Sequence, residues 1–294
     1  MSHNTLVAAF WMLGTISSFS LMAIGGRELS AHLDTAQILL FRGLVSFIII
    51  SLILCWRGWS QVRTQYFSIH AARNLTHFLG QYGWFYGIAF IPLAEVFAIE
   101  FTVPIWTAIV AAFLLKESIT KAKLQAVMLG LIGVIIILRP GIEIVSVAAL
   151  AVLGGAISYG FAHSFTKKLV GKDSPLAILF YMSLIQLPIS LVLAYEDWAM
   201  PTDGDWVWLI LVGVTALTAH YSMARALILS DVTVVVPMDF LRLPLIMLVG
   251  FLFYQEQVDW VVLLGAGIML LGNLVNLRVA STSESKKSSS IISD

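Results

Sequence analysis

The stretch PLAEVFAIEFTVPIWTAIVAAFLL, residues 92–115, decides the fold. It is long enough to cross a bilayer, since about 20 helical residues span about 30 Å of hydrocarbon. Glu100 lies eight residues into this stretch, roughly 12 Å below the surface at about 1.5 Å per residue. An ionisable side chain at that depth costs about 3 kcal/mol or more unless it meets a partner or water. We therefore expect this helix to face a cavity or a counter-charge rather than lipid.

The composition indicates a membrane protein that crosses the bilayer many times. Of the 294 residues, 59% are hydrophobic and 12% are charged, whereas soluble domains average about 25% charged residues. The net charge is zero, and we expect no nucleic-acid partner. Ten apolar runs are long enough to span a membrane: 5–26, 34–56, 66–90, 92–115, 121–139, 146–166, 174–195, 205–229, 231–253 and 258–278.

The basic residues predict the orientation of these spans. An even number of spans places both termini on one side, and that side would hold 11 Lys and Arg residues, whereas the other holds only Arg27 and Arg139. Short cytoplasmic loops carry the excess of positive charge. We therefore expect both termini to be cytoplasmic and the protein to lie in the cell inner membrane. The polar, Ser- and Lys-rich tail, residues 281–294, is expected to be disordered.

The chain contains an internal repeat at an offset of 139 residues. Glu117 falls on Glu256 at this offset, and the first helices match better at 140, where Ser18 falls on Ser158. Five spans per repeat is an odd number, so the second unit must be inserted upside down relative to the first. The sequence thus predicts an all-α membrane protein whose ten transmembrane helices form two inverted five-helix repeats, residues 1–140 and 141–280. Inverted repeats are typical of transporters that work by alternating access.

Buried charges mark the first group of candidate site residues. The offset carries Glu100 onto Asp239, and Arg242 lies three residues later on the same helix face. Arg42 and Arg225 are candidates for gate or ion-pair partners of these acids. These residues form either a polar substrate site with gating pairs, the default interpretation of intramembrane charges, or ion pairs with a purely structural role.

The third span supplies a second group of candidates. His77, Gln81 and Trp84 are spaced four and three residues apart and therefore share a helical face. Tyr82 in the same span and Tyr221 in the eighth span add aromatic rings. A cavity lined by aromatic rings with a few polar groups suits a small organic substrate. Hydrogen bonding between helices is the alternative role for His and Gln, and histidine titration makes protons a candidate coupling ion.

Motifs of other protein classes are missing from the sequence. It contains no HExxH and no GxSxG, its histidines lack metal-ligand spacing, and it has one cysteine. We assign no catalytic residue, no metal site and no cofactor, and we leave a channel, a membrane-embedded enzyme and a structural protein as alternatives. Glycines of the fifth and tenth spans predict close helix packing or a dimer face, so both a monomer and a homodimer fit the sequence.

Four segments carry a family resemblance: the stretch of residues 92–115 continued to Glu117, VVVPMDFLRLPLIMLVGFLFYQE, RNLTHFLGQYGWFYGIAFIPLA and GAGIMLLGNLVNLR. Over residues 5–279 the chain resembles the drug/metabolite transporter superfamily, and within it the bacterial EamA-type carriers with ten helices. The resemblance implies a central cavity lined mainly by the third, fourth, eighth and ninth helices. We predict a secondary transporter of a small polar or amphipathic metabolite, with amino acid-like compounds favoured. An exporter of drugs or other amphipathic compounds is the alternative.

Overall fold

The computed structural model describes residues 3–117, 120–140, 145–230, 235, 238–257 and 259–275. The regular elements of these residues are helices, apart from the short 3₁₀ turn Trp59–Val62. The α-helices are α1 (His3–Leu29), α2 (Thr35–Arg57), α3 (Phe67–Phe90), α4 (Leu93–Glu100), α5 (Val103–Leu114), α6 (Lys121–Leu138), α7 (Val147–Leu169), α8 (Pro175–Ala194), α9 (Asp205–Leu229), α10 (Arg242–Tyr254) and α11 (Trp260–Val275).

These helices make up the ten expected spans. In the described part of the chain, seven helical segments are long and apolar enough to cross a membrane, and one of them, Leu93–Leu114, consists of α4 and α5 together. The helices α10 and α11 are shorter apolar helices. Helix α3 is the polar one, because it buries Arg73, Asn74, His77 and Gln81 inside the protein. The prediction of an all-α membrane protein with ten helices is confirmed.

The packing of the helices repeats between the two halves. Helix α1, the first span of the first unit, packs along α9, the third span of the second unit. In the same way α3, the third span of the first unit, packs along α7, the first span of the second unit. The pairs α2 with α8 and α4 with α10 each join equivalent helices of the two halves. This reciprocal pattern is that of two inverted repeats related by a pseudo-twofold axis, as the sequence predicts.

Glycines allow the closest approaches between these helices. A methyl group on Gly83 of α3 would overlap the carbonyl oxygen of Ala151 in α7, and one on Gly155 would lie 2.9 Å from the carbonyl oxygen of Gly80. Between α6 and α11, a methyl group on Gly133 would lie 2.7 Å from the Gly265 oxygen. The backbones therefore touch at both places, which agrees with the close packing expected for the fifth and tenth spans.

The fourth span is broken next to its buried acid. Helix α4 ends at Glu100, and α5 begins at Val103 with Pro104 in its first turn. Proline has no N–H to donate to the preceding turn, and the Thr102 hydroxyl donates to the carbonyl of Ile99 at 2.7 Å. The break places Glu100 at a helix end within the fourth span, and discontinuous helices are where transporters place their binding sites.

Candidate functional site

A cavity of about 640 Å³ lies between the two halves. Its lining comes from α1, α2, α3, α5, α7, α9 and the start of α10, together with residues at the break of the fourth span. Seven candidate residues from the sequence line it: Arg42, His77, Gln81, Trp84, Glu100, Asp239 and Arg242. Aromatic and apolar side chains make up most of the remaining wall, which is the usual composition of a pocket for a small organic molecule.

Two acids from equivalent positions share one arginine. Arg242 donates to Asp239 Oδ2 at 2.7 Å and to Glu100 Oε1 at 3.4 Å. The other oxygen of Glu100 accepts a hydrogen bond of 2.8 Å from the indole N–H of Trp84. The side chain of Arg242 is 4% exposed, whereas each acid is 17% exposed. The acids therefore keep some access to the cavity while the arginine is held behind them.

Aromatic rings surround the Arg242 guanidinium. Its central carbon lies 4.6 Å from the ring centre of Phe19, 5.2 Å from that of Phe101 and 5.5 Å from that of Phe97. A guanidinium within about 6 Å of a ring centre is attracted by the ring quadrupole. The rings fix the position of the charge without neutralising it.

A belt of rings continues from Phe19 across the cavity wall. Its centroid distances are 5.6 Å from Phe19 to His220, 6.4 Å from His220 to His77, and 5.4 Å from His77 to Tyr159. Tyr159 also stacks on His163 at 6.3 Å. We call these five residues the ring belt. All five line the cavity. The repeat offset of 140 puts Phe19 on Tyr159 and is the signal in the sequence that relates these two rings.

Two arginines from the sequence analysis have different surroundings. Arg42 is buried and lines the cavity, and within the described part of the chain its Nε has no hydrogen-bond partner. Arg225 lies over the ring of Trp11 at 5.6 Å rather than beside Asp239. The role of Arg42 and Arg225 as gate residues remains a prediction.

Two candidate tyrosines lie outside the cavity lining. Tyr82 is half-buried and packs between Phe78 and Tyr86, at centroid distances of 6.2 and 6.5 Å. Tyr221 is 59% exposed and lies against Trp11 at 5.7 Å. The structure therefore separates them from the group formed by His77, Trp84 and the buried charges.

The end of α1, beyond the residues that line the cavity, is held by an ion pair and packed side chains. We call it the Arg27 end. Arg27 pairs with Glu256 at 3.1 Å and donates to the carbonyl of Ile91 at 2.6 Å, and Glu256 accepts from the Leu93 N–H at 3.0 Å. Burial raises the pKa of the Glu256 carboxyl, and Arg27 opposes this shift. Leu29, two residues after Arg27, and Phe97, one turn after Leu93, are completely buried.

The other end of the cavity reaches the surface, and we call it the Lys167 end. Here Glu117 accepts from Lys167 at 2.5 Å and from Lys123 at 3.0 Å. These hydrogen bonds hold the pKa of Glu117 below its ordinary value, with Lys167 the largest contributor. The Lys167 side chain is 67% exposed, so this pair is more accessible to water than the pair at the Arg27 end.

The two ends use equivalent residues. Glu117 and Glu256 are 139 residues apart, and Arg27 and Lys167 are 140 apart. Each glutamate follows a residue with a left-handed backbone, Lys116 or Gln255, both with φ of 55°. The backbone N–H of each glutamate donates to the carbonyl oxygen of the residue six positions earlier, at the end of the helix. The same helix ending thus presents an acid to a basic side chain at both ends.

This architecture, a ring-lined cavity between inverted repeats with an ion pair at each end, defines a membrane transporter and not an enzyme. The chain matches the EamA-like transporter family over residues 6–139 and 146–278, and it belongs to that family. Similar proteins include a riboflavin transporter from Vibrio cholerae, 30% identical and covering 92% of this chain and 93% of the relative.

Other relatives have different substrates in their names. An S-adenosylmethionine uptake transporter from Rickettsia prowazekii is 25% identical, with 94% of both chains covered. The pseudopaline exporter CntI from Pseudomonas aeruginosa is 25% identical, with 88% of this chain and 92% of that protein covered. A solved crystal structure with 15% identity and a TM-score of 0.66 covers 94% of this chain and 98% of its own and has the same fold.

Proposed function

We propose that this protein is a secondary carrier that moves a small metabolite with a planar aromatic or heteroaromatic ring across the cell inner membrane by alternating access. The observation that carries the proposal is the 640 Å³ cavity between the repeats, with the ring belt along its wall and the Glu100–Arg242–Asp239 cluster at its closed end. Rings stack on rings, and the cluster offers both signs of charge to polar groups of a ligand. Aromatic amino acids belong to this class.

The equivalent ion pairs support alternating access. The cavity lining includes Lys167, whereas the Arg27–Glu256 pair lies outside the lining among buried side chains. Exchanging the conformations of the inverted halves would bury the Glu117–Lys167 pair and open the Arg27–Glu256 pair. With both termini cytoplasmic, as the basic residues predict, the structure corresponds to a state open to the cytoplasm.

The relatives support a substrate with a ring. Riboflavin and S-adenosylmethionine, named for two of them, each contain a planar heteroaromatic ring system. The relatives include both an uptake transporter and an exporter, so the direction follows from the gradients of substrate and coupling ion. The titratable groups around the cavity make the proton the coupling ion that we propose to test first.

Counterflow in proteoliposomes tests this function. Vesicles with the purified protein are loaded with a high concentration of unlabelled riboflavin, S-adenosylmethionine or L-tryptophan and diluted into a trace of the same labelled compound. A carrier exchanges solute and accumulates label transiently above the external level, whereas a pore only equilibrates it. Overshoot with at least one compound, and none in protein-free vesicles, is the expected result. Equilibration without overshoot would refute the carrier, and no entry of any compound would refute the ring-bearing substrate class.

A further inference from the structure

Two buried arginines of the cavity are unequally paired. Arg42 and Arg242 are buried and line the cavity, and the carboxylates that line it beside them are Glu100 and Asp239. Arg242 pairs with both of these carboxylates. A buried ion needs a counter-charge as well as hydrogen bonds, so Arg42 is left without a counter-charge of its own among the described residues.

In the described part of the chain, Arg42 has no carboxylate partner. It lines the cavity, and no carboxylate within the described residues lies within ion-pair distance of it. Its Nε–H is buried and donates to no group among the described residues. Arg42 lines the same cavity as the ring belt.

A second donor without a partner points the same way. The side-chain nitrogen of Gln81 is buried, lines the same cavity and makes no hydrogen bond to the described residues. A buried donor without a partner needs an explanation, and a donor in a cavity wall can be satisfied by a ligand. A guanidinium and an amide N–H₂ both donate, and neither accepts at these atoms, so a group that binds both is an acceptor, and the charge of Arg42 favours a negative one.

We propose that Arg42 and Gln81 bind an anionic group of the substrate, so that this carrier selects ring-bearing metabolites with a carboxylate or a phosphate. The inference rests on the proposed function, since it takes the ring belt as the site of the planar body. The anion neutralises Arg42, and the ring lies along the belt. The Glu100–Arg242–Asp239 cluster contains one arginine and two carboxylates and therefore differs from neutrality by one charge. It then contacts the remaining polar groups of the substrate.

Two matched pairs of probes test the charge requirement on the wild-type protein alone. L-Tryptophan is compared with L-tryptophanamide, and riboflavin 5′-phosphate with riboflavin, by equilibrium dialysis against purified protein in detergent. We expect the member that carries the carboxylate or the phosphate to bind about tenfold more tightly in at least one pair, the difference that one charge-assisted hydrogen bond makes. Preference in the first pair identifies a carboxylate and preference in the second a phosphate.

Variants then assign the preference to Arg42. Arg42→Gln should abolish it, and Arg42→Lys should keep part of it. Arg57→Gln removes a charge from the exposed end of the same helix and should leave it intact. In the absence of ligand, Arg42→Met should raise the melting temperature, because it removes a buried charge without a counter-ion, whereas loss of a structural arginine would lower it.

The outcomes separate this inference from the proposed function. Binding of the ring compounds with no preference for the anionic members would overturn the anion site and leave the carrier intact. Preference that survives in Arg42→Gln, or a melting temperature that falls in Arg42→Met, would also overturn it. Absence of binding by all four compounds would refute the ring-bearing substrate class and this inference with it.

Discussion

Phe101 and Phe240 stack on each other with their ring centres 4.1 Å apart and their planes inclined by 15°. They are 139 residues apart and thus occupy equivalent positions in the two repeats. Each follows an acid directly, Glu100 in the first half and Asp239 in the second. The stack therefore marks the place where the halves meet, and it brings two carboxylates to one arginine. The residue of the first half that matches Arg242 is Val103, so the symmetry of the fold is broken at the site itself.

Loss of that arginine is expected to destabilise the protein. Arg242→Leu would leave Glu100 and Asp239 without their shared counter-charge, and removal of one partner of a buried ion pair costs about 3–5 kcal/mol. We expect a lower melting temperature of the purified variant and no transport of any labelled substrate.

A triple variant separates the structural and the functional roles of the cluster. Glu100→Gln, Asp239→Asn and Arg242→Leu together remove all charges and should restore most of the melting temperature, because uncharged replacements of a buried network are often neutral in stability. Transport should stay absent. Recovered transport in the triple variant would show that the cluster has only a structural role.

Glu100 alone is expected to be needed for transport and not for folding. In the wild type the Trp84 indole N–H donates to the Glu100 carboxylate at 2.8 Å. Glu100→Gln keeps an oxygen that can accept this hydrogen bond but loses the charge that faces Arg242 and the cavity. We expect folded protein in the membrane and a rate of counterflow lower by about 100-fold, of the order of two strong hydrogen bonds to charge. Full activity would remove Glu100 from the mechanism, and loss of folded protein would favour a structural ion pair.

The sequence predicts the charged cluster better than the ring belt, for a physical reason. An ionisable residue in an apolar run has a large cost that demands a partner, so Glu100, Asp239 and Arg242 could be grouped from depth and repeat offset alone. An aromatic residue has no such cost in lipid. Phe19 and Tyr159 lie in apolar helices. The sequence of such a helix does not distinguish a ring that faces lipid from a ring that faces a cavity.

Helical spacing also explains the separation of Tyr82 from Trp84. Residues two apart on a helix point in nearly opposite directions, whereas residues three and four apart share a face. His77, Gln81 and Trp84 keep that spacing, and all three line the cavity. Tyr82 departs from it and packs with Phe78 and Tyr86 on another face.

The contact between α3 and α7 provides a test of the fold. A methyl group on Gly83 would overlap the backbone oxygen of Ala151, which cannot rotate away as a side chain does. We expect Gly83→Ala to separate the two helices and to lower the free energy of unfolding by about 1–3 kcal/mol. Gly154→Ala is the control on α7, since a methyl group there meets nothing within 4 Å. Equal melting temperatures for the two variants would contradict the close packing.

The buried carboxyl at the Arg27 end should make stability depend on pH. Burial raises the pKa of Glu256 above its ordinary 4.5, so the folded protein binds this proton more tightly than the unfolded chain. Stability from this group therefore increases as the pH falls through the raised pKa towards 4.5, and it is lost as the pH rises. Relative to Glu256→Gln, the wild type should gain melting temperature between about pH 7 and pH 5.

Glu117 is the matched control for this pH effect. Its pKa is lowered by Lys167 and Lys123, so its contribution to stability changes only below the ordinary 4.5 and with the opposite sign. Glu117→Gln should run parallel to the wild type over the same range. If the melting temperature of the wild type instead falls relative to Glu256→Gln as the pH falls, the pKa of Glu256 is lowered and not raised. The attraction of Arg27 would then have a larger effect on this pKa than burial. The groups around Glu256 are Arg27, Tyr254 and, through Tyr254, Glu28.

One small substitution should loosen the Arg27 end without damaging the fold. A methyl group on Gly250 would overlap Oε2 of Glu256, and the end of a glutamate side chain can move away at little cost. The equivalent residue of the first half is already an alanine, Ala111, and it closes the helix in the same way. Gly250→Ala should therefore fold normally but displace the carboxylate from the Leu93 N–H and from Arg27.

Thiol labelling can measure that displacement. Cys55, the native cysteine, is exposed and is first replaced by serine, and Leu29→Cys then places a thiol at a completely buried position two residues from Arg27. Gly250→Ala in this background should raise the rate of labelling by a membrane-impermeant reagent, by roughly 10-fold if about 1.4 kcal/mol of closure is lost. Phe251→Ala alters an exposed neighbour and should leave the rate unchanged. Because opening at one end of an alternating-access carrier requires closure at the other, the same variant should slow labelling of a cysteine in place of Thr107, which lines the cavity towards the Lys167 end.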